Sequence, residues 1–367
     1  MSARGRQPAI TPAGLPSIHG RWLDELLGGP IPAETVATCH DCAMCLGDGV
    51  PSRDAVYFDP EVKCCTFVPT LPNFVVGAIL SDERPELAFG RRTIEERIAR
   101  RVGVTPRSLA PSVLQQVVYR EAVVEGDGDV FGRARSLRCP HYATETNDCG
   151  IWPHREAVCA TWFCKHVRGR VGHRFWSTAR RLLQSVERDL ACWSLLQLGM
   201  EPEVLVRSYP PEDERPSSDD VESRVDDDTW RLRWGRWHTK EHELYRSCTQ
   251  LVMTLSFAEI LRIAGPQSAM LAALTRDAYR MLLVTTVPAR LRPGKLRVLP
   301  TGPETLRVET YSSHDPLDLR REIVAALGSF DGRATADVLA EAATSRSALD
   351  EATVRVLVDF GLLEPLD

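Results

Sequence analysis

The chain has 367 residues, with 45 Lys+Arg against 50 Asp+Glu, a formal charge of −5, 43 % hydrophobic and 26 % charged residues. This composition excludes a wholly disordered or collagen-like chain, and the length accommodates two or three domains with their own cores. Mild acidity argues against a dedicated nucleic-acid binder.

Residues 1–35 are rich in Pro and Gly and read as a flexible N-terminal arm. No apolar h-region follows the first arginines, so no signal peptide is expected. A cysteine-cluster domain is assigned to 36–170. Within it, 93–102 (TIEERIARRV) places Ile94, Ile98 and Val102 at helical spacing, and 112–124 is also read as a helix. Residues 171–287 form a helical region. Its strongest signal is Phe175, Ala179, Leu182, Val186, Leu190, Trp193 and Leu196, an apolar stripe at three- and four-residue steps. The segment 209–228 holds nine acids and three prolines and reads as a solvated loop. Helices are expected again over 229–264 and 267–285. From 288 to 367, two short strands (296–299 and 305–311) precede three helices (318–330, 334–343 and 350–361). Apolar spacing at the end of this segment resembles winged-helix and PqqD-like modules. The longest apolar run, 251–263, is interrupted by Glu259 and Arg262 and is too short to span a bilayer, so a cytoplasmic protein without membrane contact is expected.

Nine of the 11 cysteines lie between Cys39 and Cys164. In a reducing compartment, such clustering points to metal or redox chemistry rather than disulfides. Cys39, Cys42 and Cys45 form CxxCxxC, whose third thiol at the same step favours an iron–sulfur cluster of the 4Fe-4S kind; zinc is the alternative. Cys64 and Cys65 are adjacent, and in an extended chain their side chains would face opposite ways, serving either two centres or one centre in a turn. Cys139, Cys149, Cys159 and Cys164 close the set. Cys159 and Cys164 would diverge on one continuous helix, so a helix end or loop is expected between them. Gly150 is read as allowing close backbone approach to the metal. Nine thiols exceed one tetrahedral site, and two four-coordinate centres would use eight. His40, His141, His154 and His166 are further donors, with His40, His141 and Arg155 as candidates for supporting the ligands; Arg155 and Lys165 could offset thiolate charge. Cys192 and Cys248 are read as packed core residues.

This succession of clustered thiols, a vicinal CC and CGIWPHREAVCATWFC resembles the YkgJ-like cysteine-cluster family, the CxxCxxCC zinc- or iron-chelating domain. The likeness covers about a third of the chain. It departs from the family where Cys64-Cys65 follows Cys45 only after 18 residues. The resemblance implies metal or iron–sulfur binding through the nine cysteines. No glycine-rich methyl-donor loop is present to extend it to the protein methylation of a related group.

Other motifs are weaker. Residues 98–109 (IARRVGVTPRSL) resemble a helix-turn-helix turn flanked by arginines, but Pro111 truncates the recognition helix. His238 and His242 lack the HExxH order of a zinc protease and read as an exposed helix face. Trp230, Trp234 and Trp237 read as a packing stripe. The expected fold class is therefore α+β, mostly helical: an irregular metal-stabilised cysteine-cluster domain, a helical region and a small winged-helix-like or PqqD-like module. The expected function is iron–sulfur or zinc binding. The alternatives are a cluster-dependent modifying or redox enzyme acting on a protein or peptide, and a metal-stabilised adaptor or DNA-binding regulator. A protein or peptide partner would bind the C-terminal module.

Overall fold

A computed structural model describes residues 14–35, 37, 39, 41–45, 57–125, 130–207, 225–344 and 348–366. The α+β, mostly helical class holds, with thirteen α-helices and nine short strands among the described residues. They form two compact units whose segments interleave along the chain: Met1–Ala33, Cys39–Trp162 and Arg180–Ala272 make the first; Glu34–Thr38, Phe163–Ala179 and Ala273–Asp367 make the second.

The first unit opens with helix α1 (Ser17–Leu27), which corrects the expectation of a flexible arm over this stretch. Trp22 and Leu23 are fully buried, with Leu26 on the same face. The Pro and Gly that suggested looseness instead punctuate the helix: Pro16 precedes it, and Gly28 ends it in the left-handed conformation. Strand β1 (Leu71–Pro72) leads into α2 (Asn73–Ser81), which is apolar all round and buried on nearly every side. Helix α3 (Ala88–Arg100) follows, and β2 (Ser108–Leu109) pairs antiparallel with β1. The stretch that resembled a helix-turn-helix thus ends α3 and then folds as a turn and a strand. Ser112 caps α4 (Val113–Tyr119) through a capping box with Gln115, and one π-turn continues the helix to Val124.

A hairpin of β3 (Tyr142–Ala143) and β4 (Asp148–Cys149) precedes α5 (Ala157–Thr161). Helix α6 (Gly169–Gln197) realises the long apolar stripe, and α7 (Pro202–Arg207) follows. The acidic loop lies mostly outside the described residues. Its last acids cap and begin α8 (Asp227–Trp234), with Asp226 accepting from the Asp228 and Thr229 amides. Trp230 and Trp234 are buried as the packing reading requires. The continuous helix expected over 229–264 is broken: α9 (Glu241–Met253) starts after a turn in which Thr239 is left-handed, and α10 (Phe257–Leu283) follows Ser256. His238 and His242 consequently do not share one helix. The break within α10 at Gly265 and Pro266 does match the expected division at 264–267. In the core, α2 packs along α9, and Asn73 Nδ2 donates to the Ala191 carbonyl at 2.9 Å.

In the second unit, β5 (Leu291–Pro293) pairs with the terminal β9 (Leu363–Pro365). Strands β6 (Arg297–Pro300), β7 (Thr305–Glu309) and β8 (Leu317–Arg320) form an antiparallel sheet in that order. Strand β8 occupies the start of the stretch expected as a helix, because Leu317 and Leu319 alternate with Asp318 and Arg320 and pair with β7. Helices α11 (Arg321–Ala326), α12 (Thr335–Thr344) and α13 (Glu351–Asp359) complete the unit around Leu291, Val308, Phe330, Val338, Val354 and Leu357. Among the described residues, no helix is long and apolar enough to cross a membrane.

Candidate metal centre

All eleven cysteines are thiols, with no disulfide among the described residues. Eight of the nine clustered cysteines belong to the first unit. Their segments are irregular loops held by backbone hydrogen bonds. The Cys45 amide donates to the Cys42 carbonyl at 2.9 Å, closing the first loop. Cys64 and Cys65 sit in a turn with Lys63 in the left-handed region (φ 50°), and the Cys65 amide donates to the Val62 carbonyl. The Cys139 amide donates to the Cys65 carbonyl at 2.6 Å, which joins the second segment to the third. Cys149 lies on β4 opposite Tyr142. Cys159 lies on α5, where its amide donates to Glu156 Oε1 at 2.9 Å.

The thiols interact as one network joined through Cys64 and Cys65. Cys39 is hydrogen-bonded to Cys64, and Cys42 to Cys45. The Cys39 bond holds Cys64 down, but its bond to Cys65 and burial raise it on balance. The bond from Cys64 likewise lowers Cys65, but burial and the nearby Cys149, Cys139 and Cys159 push it up to about 11. Burial, followed by Cys149, pushes Cys139 up to about 12, and burial holds Cys149 at about 11. Cys42 alone falls, to about 6, because its bond with Cys45 favours its thiolate while raising Cys45. Crowded, buried thiols therefore resist ionisation unless a cation joins them.

Two protein cations adjoin the set. Arg155 is buried, stacks on the Trp152 ring at 3.3 Å, and donates to the carbonyls of Trp152, Cys159 and Gly14. Its guanidinium lies in the field of Cys39, Cys149, Cys159 and Cys64. Lys63 Nζ donates to the Cys39 carbonyl at 2.6 Å and the Asn147 carbonyl at 2.7 Å, tying the first loop to the β3–β4 turn. The sequence reading passed over Lys63, although its position directly before the vicinal pair marked it. His141 is fully buried; Nδ1 meets Thr93 Oγ1 at 2.7 Å, and Nε2 has no partner among the described residues. Burial holds this imidazole down at about 3. Arg97 Nη1 is likewise buried without a partner.

Other candidates fall elsewhere. His154 Nε2 meets Asp82 Oδ2 at 2.8 Å, and His40 lies outside the described residues. Cys164, Lys165 and His166 belong to the second unit. There Cys164 is buried within electrostatic range of Tyr311. Lys165 Nζ lies 3.9 Å from Asp315 Oδ1, and the His166 amide donates to Asp315 Oδ2 at 3.0 Å. Lys165 thus offsets a carboxylate there. Nothing local in the sequence joins Tyr311 and Asp315 to residues 164–166. The loop after α5 separates Cys159 from Cys164, as their spacing requires. Cys248 is fully buried as expected, but Cys192 is only half-buried. Gly150 answers a different need from the expected one: a side chain there would press on the Phe89 ring of α3, while a side chain at Gly90 would overlap the Gly150 carbonyl. Both glycines let α3 lie against the strand that carries Cys149.

A buried acid positions α5. Glu187 Oε1 accepts from the Ala157 amide at 3.0 Å and lies 2.8 Å from His19 Nε2. Burial raises Glu187 to about 8 and lowers His19 to about 4. Between pH 6.5 and 8 the folded chain keeps a Glu187 proton that the unfolded chain has released, so stability falls as pH rises. Below 6.5, His19 acts in the opposite sense, because the unfolded imidazole takes up a proton that the buried one refuses. Glu187→Gln is expected to remove a loss of order 1–2 kcal/mol between pH 6.5 and 8. Urea unfolding at the two pH values measures this; parallel losses in both proteins would refute it.

Among the described residues, no three His, Cys, Asp or Glu side chains stand as a ready group for a metal ion. The thiols are gathered but hydrogen-bonded to one another, as protonated thiols are. No family model matches the chain, and no curated protein or solved structure is significantly similar to it.

Proposed function

We propose that the first unit holds two four-thiolate metal centres, one on Cys39, Cys42, Cys45 and Cys64 and the other on Cys65, Cys139, Cys149 and Cys159. The observation that carries this reading is the gathering of eight thiols about the vicinal pair: Cys64 bonds to Cys39 and to Cys65, and Cys65 in turn senses Cys149, Cys139 and Cys159. Eight thiols match two four-coordinate sites. The donor chemistry fits: thiolates from three loops, buried cations in Arg155 and Lys63, and a buried Arg97 nitrogen without a partner among the described residues to donate toward negative charge. The CxxCxxC step favours 4Fe-4S over zinc. Such a cluster would supply one-electron exchange, whereas zinc would only cross-link. The protein's own part is to hold the loops: Lys63 fastens the first, the Cys65–Cys139 backbone bond fastens the second and third, and Glu156 fixes Cys159. On this reading the chain is a cytoplasmic protein of the YkgJ-like type.

Anaerobic purification, metal analysis and an absorption spectrum test the proposal. About eight iron atoms per chain with broad charge-transfer absorption are expected. About two zinc ions in a colourless protein would keep the thiol assignment and replace the metal. A chain with neither metal would refute it. Cys164→Ser should keep the full metal content, since eight thiols suffice.

A second reading concerns a peptide partner for the winged-helix-like or PqqD-like module. Strand β6 is an edge of its sheet and presents Val298 at 38 % exposure, which suits pairing with an extended peptide. Cross-links from a bound peptide should map to 297–300; cross-links confined elsewhere would refute it.

A further inference from the structure

Cys42 and Cys45 differ from the other contacting thiols in how the backbone presents them. They are the first and last residues of one turn, closed by the Cys45 amide on the Cys42 carbonyl at 2.9 Å. A turn closed in this way keeps its first and fourth Cα atoms within about 7 Å. An ordinary disulfide needs Cα atoms about 4.4–6.8 Å apart. The two side chains also meet, since the thiols are hydrogen-bonded to each other. The turn is anchored within the first unit. Cys45 forms a β-bridge with Phe58, whose amide donates to the Met44 carbonyl at 2.8 Å. The Phe58 ring stands edge-on to Phe131, with centroids 5.5 Å apart. Both thiols are half-buried and Asp41 beside them is exposed, so a small reagent can reach the pair.

The neighbouring contacts suit a disulfide less well. Cys64 and Cys65 share a trans peptide bond. Such a bond sets adjacent Cα atoms about 3.8 Å apart, short of the disulfide range. Cys39 and Cys64 lie on separate loops, and Cys64 divides its contacts between Cys39 and Cys65.

We propose that Cys42 and Cys45 are a redox-active pair that closes a reversible disulfide on reaction with a small disulfide, for which oxidised glutathione is the probe. One cysteine sulfur bonds to one half of the reagent and displaces the other half as a thiol. The second cysteine then displaces the bound half as a second thiol. The pair gives up two electrons and two protons, and the reagent takes them up as its two thiols. On the reading that this pair also serves the first metal centre, the same step withdraws two of its four ligands and frees its metal. That consequence rests on the proposed function, whereas the disulfide itself does not.

The full chain as purified tests this, with its metal content measured first. It is equilibrated with oxidised and reduced glutathione at rising ratios. Free thiols are then trapped with iodoacetamide and the links mapped by peptide mass spectrometry. At a ratio that leaves Cys192 alkylated, most chains should carry a Cys42–Cys45 link, and dithiothreitol should restore both thiols. Cys42→Ser and Cys45→Ser should each remove the link; if either fails to fold, the map of the parent chain decides. A metal-bearing chain should release about half of its metal in step with the link. Full metal retained with the link in place would keep the pair and take it out of the first centre. A chain purified without metal that still forms the link would keep the pair and refute the metal centres. The proposal is overturned if Cys42 and Cys45 stay alkylated at every ratio, if either carries only bound glutathione, or if the links join other cysteines.

Discussion

A Cys64→Ser chain is expected to lose at least half of its bound metal and the cooperative unfolding of its first unit. Cys64 is the hub of the thiol network: it bonds to Cys39 and Cys65 and lies in the field of Cys42, while Cys139, Cys159 and Arg155 respond to it. The segments that converge there are loops with little regular structure, so on the proposed reading a metal would supply much of what holds them. A structural metal site contributes on the order of 10 kcal/mol at neutral pH, comparable with the whole stability of an ordinary domain. Loss of the first centre would also remove the anchor beside Cys65, so the second centre should weaken too. Cys192→Ser, at a half-buried thiol outside the cluster, should leave metal content unchanged. Chelation of the parent should reproduce the Cys64→Ser phenotype. Unfolding followed by circular dichroism, alongside metal analysis, reads both; full metal and an unchanged transition in Cys64→Ser would sink the thiol-centre reading.

Gly77→Ala should destabilise the chain by about 3 kcal/mol, although helix propensity alone predicts a gain of about 1 kcal/mol. Gly77 lies inside α2, where that helix packs along α9. A methyl group there would overlap the Tyr245 carbonyl and the Thr249 hydroxyl. The first obstacle is backbone, which cannot rotate away. The second is fixed, because Thr249 Oγ1 already donates to the Phe74 carbonyl at 2.7 Å. The helices must separate, and Tyr245 and Cys248, both fully buried, would lose packing. The melting temperature should fall by about 10 °C, at roughly 2–4 °C per kcal/mol. Gly328→Ala, where an added methyl group meets nothing within 4 Å, should be close to neutral. Equal melting temperatures for the two variants would show that α2 and α9 are not packed this closely.

How far the fold could be read followed the range of the interactions that form it. The α6 stripe and the helices of the C-terminal segment were legible because 3.6-residue periodicity is a local signal. Helix α1 is hidden in the sequence by its Pro and Gly, which suggest disorder but mark the ends of a helix built on Trp22, Leu23 and Leu26. Strands β5, β8 and β9 were missed because two- to four-residue strands carry too little alternation, and β9 finds its partner some seventy residues upstream. The unbroken helix expected through 229–264 failed at Thr239, whose left-handed backbone no composition signal announced.

The sequence by itself determined the donor inventory: the thiols, their CxxCxxC and vicinal spacing, and the clustering that sets them apart from Cys192 and Cys248. Spacing along the chain is covalent information, so it survives without coordinates. Only the tertiary structure decided which thiols become neighbours, that Lys63 fastens the first loop, and that Cys164 belongs to another unit. Those facts rest on loop closures across tens of residues, where the energy lies in contacts between segments and leaves no periodic trace in either one.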